Sequence, residues 1–234
     1  MVIRPIGFIH TDFPEKFGIP RQSGLIDELT AEIIFLPEYR NPDAFHGLEG
    51  FSHIWLLWEF SANDTSETRT FHASVHPPRL GSNEHRGVFA TRSPFRPNPV
   101  GLSCVRLLQI RKSGPDGITL LVSGADLMDG TPIFDIKPYI PYTDCRPEAA
   151  EGFTEQTRQY RLEVVFPEEL LAGIPEEKQK ALIKVLEEDP RPNYQNKDPE
   201  RVYGFYFAGM EIHFCVKDGV LTVKNVNTSM TAQR

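Results

Sequence analysis

The chain has 234 residues, enough for one large or two modest domains, and a hydrophobic share of 40% supplies a substantial core. Lys and Arg number 25 against 32 Asp and Glu, and the resulting net charge of −7 excludes the bulk cationic character of a non-specific nucleic-acid binder. No apolar run reaches the length of a membrane span, the first ten residues lack a secretory signal pattern, and Cys104, Cys145 and Cys215 lie far apart with no CxxC spacing, which together predict free thiols in a cytoplasmic protein.

Residues 2–9 read as a strand that Pro5 assigns to an edge or bulge. A loop follows over 16–24 with Gly18, Pro20 and Gly24, and 31–36 is a short apolar strand. Asn41 or Asp43 can cap a helical turn within 43–51. Residues 53–60, HIWLLWEF, are apolar at successive positions, as in a strand covered on both faces, although periodicity alone leaves a helical segment open. Val88-Phe89 and 100–110 look like strands, 102–110 pairs with 118–122 across the turn-rich 113–117, and 133–136 is a further short strand. Short strands between turn signals, with almost no helical pattern, point to a β-barrel or sandwich.

Composition becomes acidic near Pro147, where we place a boundary, giving 1–147 and 148–234. Residues 160–166 read as a strand and 175–188 as the best helix in the chain. Pro175 suits N1, Glu176 and Glu177 complement the helix dipole, and Leu182, Val185 and Leu186 form an apolar stripe before Pro190 stops it. Met210, Ile212, Phe214 and Val216 then alternate with polar residues, and Asp218-Gly219 predicts a type I′ hairpin into Leu221 and Val223. The tail from Asn227 is polar and expected to fray.

The stretch 87–103, GVFATRSPFRPNPVGLS, organises the chain. Pro94, Pro97 and Pro99 forbid a helix interior or a central strand and stiffen a loop that carries Arg92, Arg96, Thr91, Ser93 and Asn98. A binding loop ordered in advance loses less entropy when its ligand arrives, so a rigid cationic loop between strands reads as a site. Charge is segregated around it: Arg79, Arg86, Arg92, Arg96, Arg106, Arg111 and Lys112 fall together with Glu84 as their acidic neighbour, which favours an anionic partner. GxGxxG, GxxxxGK[ST] and GxSxG are all missing, which argues against a dinucleotide turn, a P-loop and a nucleophile elbow. His72 and His76 have helical ligand spacing but precede Pro77-Pro78, so no metal site is expected.

Gly87, Phe89, Thr91-Arg92-Ser93, Arg96-Pro97-Asn98-Pro99 and Gly101 form a long, specific pattern. With Pro20-Arg21-Gln22, the segment GLEGFSH at 47–53, Asp129-Gly130-Thr131-Pro132, Asp135-Ile136-Lys137-Pro138-Tyr139, and Asp189-Pro190-Arg191-Pro192 followed by Tyr194, the chain resembles the TsaA-like family, the TrmO-type tRNA methyltransferases. The resemblance implies a β-barrel-like catalytic domain at 1–147 with a small α+β domain at 148–234, mainly β overall. It also implies S-adenosyl-L-methionine as cofactor and tRNA as substrate, methylated at N6 of threonylcarbamoyladenosine at position 37. A homodimer with the cofactor near the subunit interface completes the picture.

Those expectations distribute roles over residues. Arg92 can fork onto an anion, either the cofactor carboxylate or an RNA phosphate. Asp135 can take the ammonium or a ribose hydroxyl, or pair with Lys137 or Arg96. Backbone groups of Pro20, Arg21 and Gln22 and of Ile133, Phe134, Asp135 and Ile136 can read the adenine edge. Ser61-Ala62 matches a cofactor-contacting segment of the family, and Leu102 joins the cofactor set. The acceptor nitrogen belongs to a urea and must lose a proton, so Asp135, Lys137 and Asn98 are the catalytic candidates, with turn capping the other reading of Asn98. Arg96, Arg191 and Tyr194 are candidates for RNA contact, and the second domain is expected to select RNA and not to hold cofactor. Two alternatives stand beside this: a same-fold methyltransferase with a different RNA or small-molecule substrate, and a non-catalytic RNA-binding barrel stacking bases on Phe89, Phe95 and Tyr139.

Overall fold

Every second residue of His53–Glu59 is buried, at Ile54, Leu56 and Trp58, the period-two pattern of a strand with one face in a core. The computed structural model describes residues 2–62, 72–77, 80, 84–191, 198 and 200–228. Its first strands are β1 (Gly7–His10), β2 (Thr30–Phe35), β3 (His53–Glu59), the short β4 (Ser74–Val75) and β5 (Arg86–Gly87), then β6 (Val100–Arg111), β7 (Thr119–Ser123) and β8 (Thr131–Pro138). Six of them close an antiparallel barrel in the order β1-β2-β7-β6-β3-β8, while β4 pairs with β5 ahead of the proline-rich loop. Ile9, Ile33, Ile54, Leu56, Val105, Leu120, Val122 and Ile133 fill the barrel. Sequence left barrel and sandwich open; closure, which removes exposed strand edges, decides for the barrel.

The outer face of β3 is half-covered and not core. Trp55 packs on Tyr139 with ring centroids 5.7 Å apart, and its indole N–H donates to Asp144 Oδ2 at 2.9 Å, on the single turn α1 (Pro141–Asp144). The aromatic run is therefore a one-sided strand with an aromatic cover. Asn41 caps the turn at Pro42–Phe45 by accepting from the Asp43 N–H at 3.0 Å. Two expectations need correction. Residues 2–6 precede β1, and Val88-Phe89 belongs to a 3-10 turn, because the strand there ends at Gly87.

Beyond residue 147 the chain adds β9 (Glu163–Val165), α2 (Glu168–Leu171), α3 (Glu176–Glu187), β10 (Tyr203–Phe207), β11 (Met210–Lys217) and β12 (Val220–Thr228). The sheet order is β10-β11-β12-β9, antiparallel except for β12 with β9. Asp218 and Gly219 have φ of 50° and 82°, as a type I′ turn requires. Pro175 is the N-cap of α3, with extended ψ of 132°, and does not occupy N1. Ala181, Leu182, Val185 and Leu186 of α3 pack with Phe205, Phe207, Ile212 and Phe214, and this second core also takes in Phe13, Ile26 and Leu29 from the stretch between β1 and β2.

Candidate active site

That stretch is built to lie on the second sheet. Gly18 has φ of +91°, and a Cβ there would meet the Phe205 ring at 2.3 Å, so only glycine lets the backbone pass. The Phe13 ring tilts against Phe207 at 5.4 Å, the Ala208 N–H donates to the Asp12 carbonyl at 2.9 Å, and Lys178 Nζ reaches both Asp12 carboxylate oxygens at 2.8 and 2.6 Å. Arg21 Nη2 donates to the carbonyls of Asp189 and Arg191 at 3.4 and 3.3 Å. The segment that carries Pro20, Arg21 and Gln22 is thus held in place by the C-terminal half of the chain.

Facing it is the proline-rich loop, pinned by its own short polar side chains. Thr91 Oγ1 donates to the Val88 carbonyl at 2.9 Å and accepts from the Ser93 N–H at 3.2 Å, while Ser93 Oγ accepts from the Phe95 N–H at 3.3 Å. Arg96 Nη1 donates to the carbonyls of Val88 and Thr91 at 3.1 and 2.7 Å, with its guanidinium 5.7 Å from the centroid of Phe89. Arg92 reaches out of the loop, and its Nη1 donates to Gln22 Oε1 at 2.5 Å. This contact joins the two segments across a cavity of about 460 Å³, within the usual range for small-molecule sites.

The floor is made where β6 leaves the loop. Gly101 lies opposite Trp58 in the β3–β6 register, and a Cβ on it would come within 2.2 Å of the indole. Trp58 therefore lies flat over the strand, edge-on to Phe60 at 4.3 Å. On the other side of β3 the register slips at Trp58, leaving Phe134 of β8 as the extra residue of a bulge, a device common beside active sites. The Trp58 indole N–H donates to Ser103 Oγ at 2.9 Å, and the Ser103 hydroxyl donates to Asp126 Oδ1 at 2.5 Å. Burial pushes the Asp126 carboxyl above its ordinary range, against the hydrogen bonds it accepts and the nearby Arg92 charge.

Of the expected cofactor residues, Pro20, Arg21, Gln22, Ser61, Ala62, Arg92 and Leu102 line the cavity, and Arg96 lines it as well. Ile133, Phe134, Asp135 and Ile136 are not in its wall. Ile133 is a fully buried barrel residue, and Asp135 pairs with Lys137 Nζ at 2.9 Å, both side chains well exposed. Asn98 is exposed and outside the wall, and its side chain caps no turn among the described residues. Arg191, expected on an RNA surface, is buried: its Nε and Nη2 donate to Asp189 at 2.8 and 3.0 Å, and Tyr160 donates to the same carboxylate at 2.9 Å. Burial opposes the charge on Asp189, but these donors outweigh it and hold its carboxyl below the ordinary range. The turn is therefore a strut behind Arg21, while no described residue beyond 147 lines the cavity. Tyr194 lies outside the described residues. Trp58, Phe60, Asp126 and Met128 also line the wall and were missed, since none carries a signal that separates a site from a core, while Thr131, which lines it too, lies in the Asp129-Gly130-Thr131-Pro132 segment of the family pattern.

Residues 8–145 match the family model described as the tRNA-methyltransferase O N-terminal domain, and residues 159–229 match the TrmO C-terminal domain. The chain belongs to the TrmO family. The Escherichia coli tRNA (adenine(37)-N6)-methyltransferase is 37% identical over 220 residues, covering 91% of this chain and 92% of that protein. The Eikenella corrodens protein of the same name is 41% identical over 177 residues, covering 75% and 97%. A crystal structure of TrmO from Pseudomonas aeruginosa superimposes with a TM-score of 0.76 at 33% identity, covering 97% of each chain. In this TrmO family member the proline-rich loop and the Pro20-Arg21-Gln22 segment are the two lips of one cavity.

Proposed function

We propose that this chain is an S-adenosyl-L-methionine-dependent tRNA methyltransferase acting on N6 of threonylcarbamoyladenosine at position 37, in the cytoplasm and as a homodimer. The observation that carries the reading is the Arg92–Gln22 bridge over a preformed cavity in a chain that matches 92% of the Escherichia coli tRNA (adenine(37)-N6)-methyltransferase. The donor set fits the cofactor: a guanidinium for a carboxylate, a carboxylate for an ammonium, and Trp58, Phe60, Leu102 and Met128 for the adenosyl and thioether portions. When bound, S-adenosyl-L-methionine supplies an electrophilic methyl on a sulfonium. The protein's part is then to bind, orient and exclude water, because alignment of the acceptor nitrogen is the main demand.

The wall formed by one chain contains none of Asp135, Lys137 and Asn98. In the homodimer that we infer, these exposed residues are candidates to ease proton loss from the acceptor by approaching from the second subunit. Phe89, Phe95 and Leu102, between 53% and 71% exposed around the cavity, support such an apolar contact. Arg96 commits Nη1 to the loop carbonyls of Val88 and Thr91 and lies beside the Phe89 ring, so part of its role is to hold that ring in one geometry. No helix among the described residues is long and apolar enough to cross a membrane. The test is a thermal-shift titration with S-adenosyl-L-methionine on wild type and Arg92→Ala. A saturable shift in wild type that the variant loses supports the site; no shift at millimolar ligand in wild type overturns it.

A further inference from the structure

We propose that His76 and His85 form a two-imidazole site for a divalent transition metal ion such as Zn²⁺ or Ni²⁺. The inference stands on the β4–β5 hairpin and does not depend on methyl transfer. In that hairpin Ser74 lies opposite Gly87 and Val75 opposite Arg86, so the next step of the same register sets His76 opposite His85. The two rings are in contact, with centroids 3.9 Å apart and planes inclined at 49°, and both residues are exposed. Spacing along the chain pointed elsewhere: His72, four residues before His76, packs edge-on to Phe95 at 5.8 Å. Strand pairing, not spacing, gives His76 its partner.

A metal–imidazole bond is about 2.0–2.1 Å long, so two rings on one ion bring a nitrogen of each to roughly 3 Å from the other. Rings already in contact need only small side-chain rotations to reach that separation. Parallel rings aim their in-plane lone pairs along parallel lines, whereas inclined rings let them converge on one point. Because the paired strands hold both residues in place, most of the entropy of bringing two ligands together is lost on folding and not on binding. Charge does not oppose the cation. Strand alternation turns Arg86 to the face of buried Val75, and its guanidinium donates to Glu84 Oε2 at 2.7 Å and to the His85 carbonyl at 2.9 Å. Imidazole suits late transition ions, while Mg²⁺ and Ca²⁺ prefer oxygen. With two protein ligands, water fills the remaining positions and the ion exchanges. A bound ion clips β4 to β5 where the chain enters the proline-rich loop: the Val88 N–H donates to the Ala73 carbonyl at 3.0 Å, and the Val88 carbonyl accepts from Thr91 Oγ1 and Arg96 Nη1.

The experiment is an isothermal titration of the full chain, free of any polyhistidine tag, with Ni²⁺ and then with Zn²⁺ at neutral pH. Wild type should bind one ion per chain with a micromolar Kd and melt at a higher temperature with Ni²⁺ than without it. His76→Gln and His85→Gln should each weaken binding by at least about tenfold and abolish the melting shift. Without metal both variants should melt as wild type does, since both side chains are exposed. His72→Gln should bind as wild type does, and excess Mg²⁺ should not compete. No binding below millimolar Ni²⁺ overturns the site. So does binding that His76→Gln and His85→Gln leave unchanged, which puts the ion on other histidines or on cysteines, or equal weakening by His72→Gln. Unchanged Ni²⁺ binding with weaker tRNA binding in the two variants would assign the pair to RNA phosphate and overturn the metal site as well.

Discussion

Gly101 lacks a side chain because the Trp58 indole occupies that space, and Trp58 is in turn the floor of the cavity. Gly101→Ala should lower stability by about 1–3 kcal/mol through overpacking and weaken cofactor binding, read as a lower melting temperature and a higher Kd. Asp126 gives the opposite stability sign. Its folded-state pKa is raised, so the protonated form stabilises the fold at low pH and that contribution fades as pH rises through and above the ordinary carboxylate range. Asp126→Asn should therefore match or exceed wild-type melting temperature at neutral pH, measured without ligand. At this scale the motif loop was legible: proline chemistry marked it, and Arg92 and Gln22 do face one cavity. Asp126 was not, because it sits in an irregular connection where neither burial nor direction can be read from spacing. Asp135 was ambiguous, because a carboxylate beside Lys137 has the same sequence signature whether it faces a ligand or its neighbour, with which it pairs here.

Among elements, the lip segment and α3 act as one unit. Lys180 and Lys184 of α3 reach Glu28 Oε1 at 2.8 and 2.7 Å, and although burial opposes the charge, these donors bring the Glu28 pKa down to about 2 from its ordinary 4.5. A depressed carboxyl contributes stability above its unfolded value and loses it as pH falls through the folded one. Glu28→Gln should thus be less stable than wild type at neutral pH, with the gap closing between pH 4.5 and about 2 in acid-denaturation curves. Gly18→Ala, forced against Phe205 at positive φ, should displace the lip and cost cofactor affinity along with stability, although residue 18 is outside the cavity wall. Helix α3 was legible from its stripe and acidic first turn. Strand β10 was not: Tyr203, Phe205 and Phe207 alternate, but its turn into β11 uses Ala208, at φ of 49°, where an Asn or Asp would have signalled a hairpin.

Across the whole molecule, two cores share one binding segment. Removing the chain beyond residue 147 would expose Phe13, Ile26 and Leu29, each worth ~1.5–3 kcal/mol of burial, against a total stability of about 5–15 kcal/mol for an ordinary domain. The truncated barrel should fail to bind S-adenosyl-L-methionine, by calorimetry, even where circular dichroism still shows β structure. Strand periodicity announced both halves of the fold, but the packing of 12–29 on the second sheet was illegible, because it depends on Phe13, Phe17 and Gly18 finding partners that lie far along the chain. The central claim is methyl transfer to a particular nucleoside, and nucleoside mass spectrometry of tRNA incubated with the full-length protein and S-adenosyl-L-methionine reads it directly. The account predicts that threonylcarbamoyladenosine gains one methyl group at N6, and that tRNA with unmodified adenosine at position 37 stays unchanged. Methylation of the unmodified tRNA, or none of either while cofactor binding is intact, would contradict it.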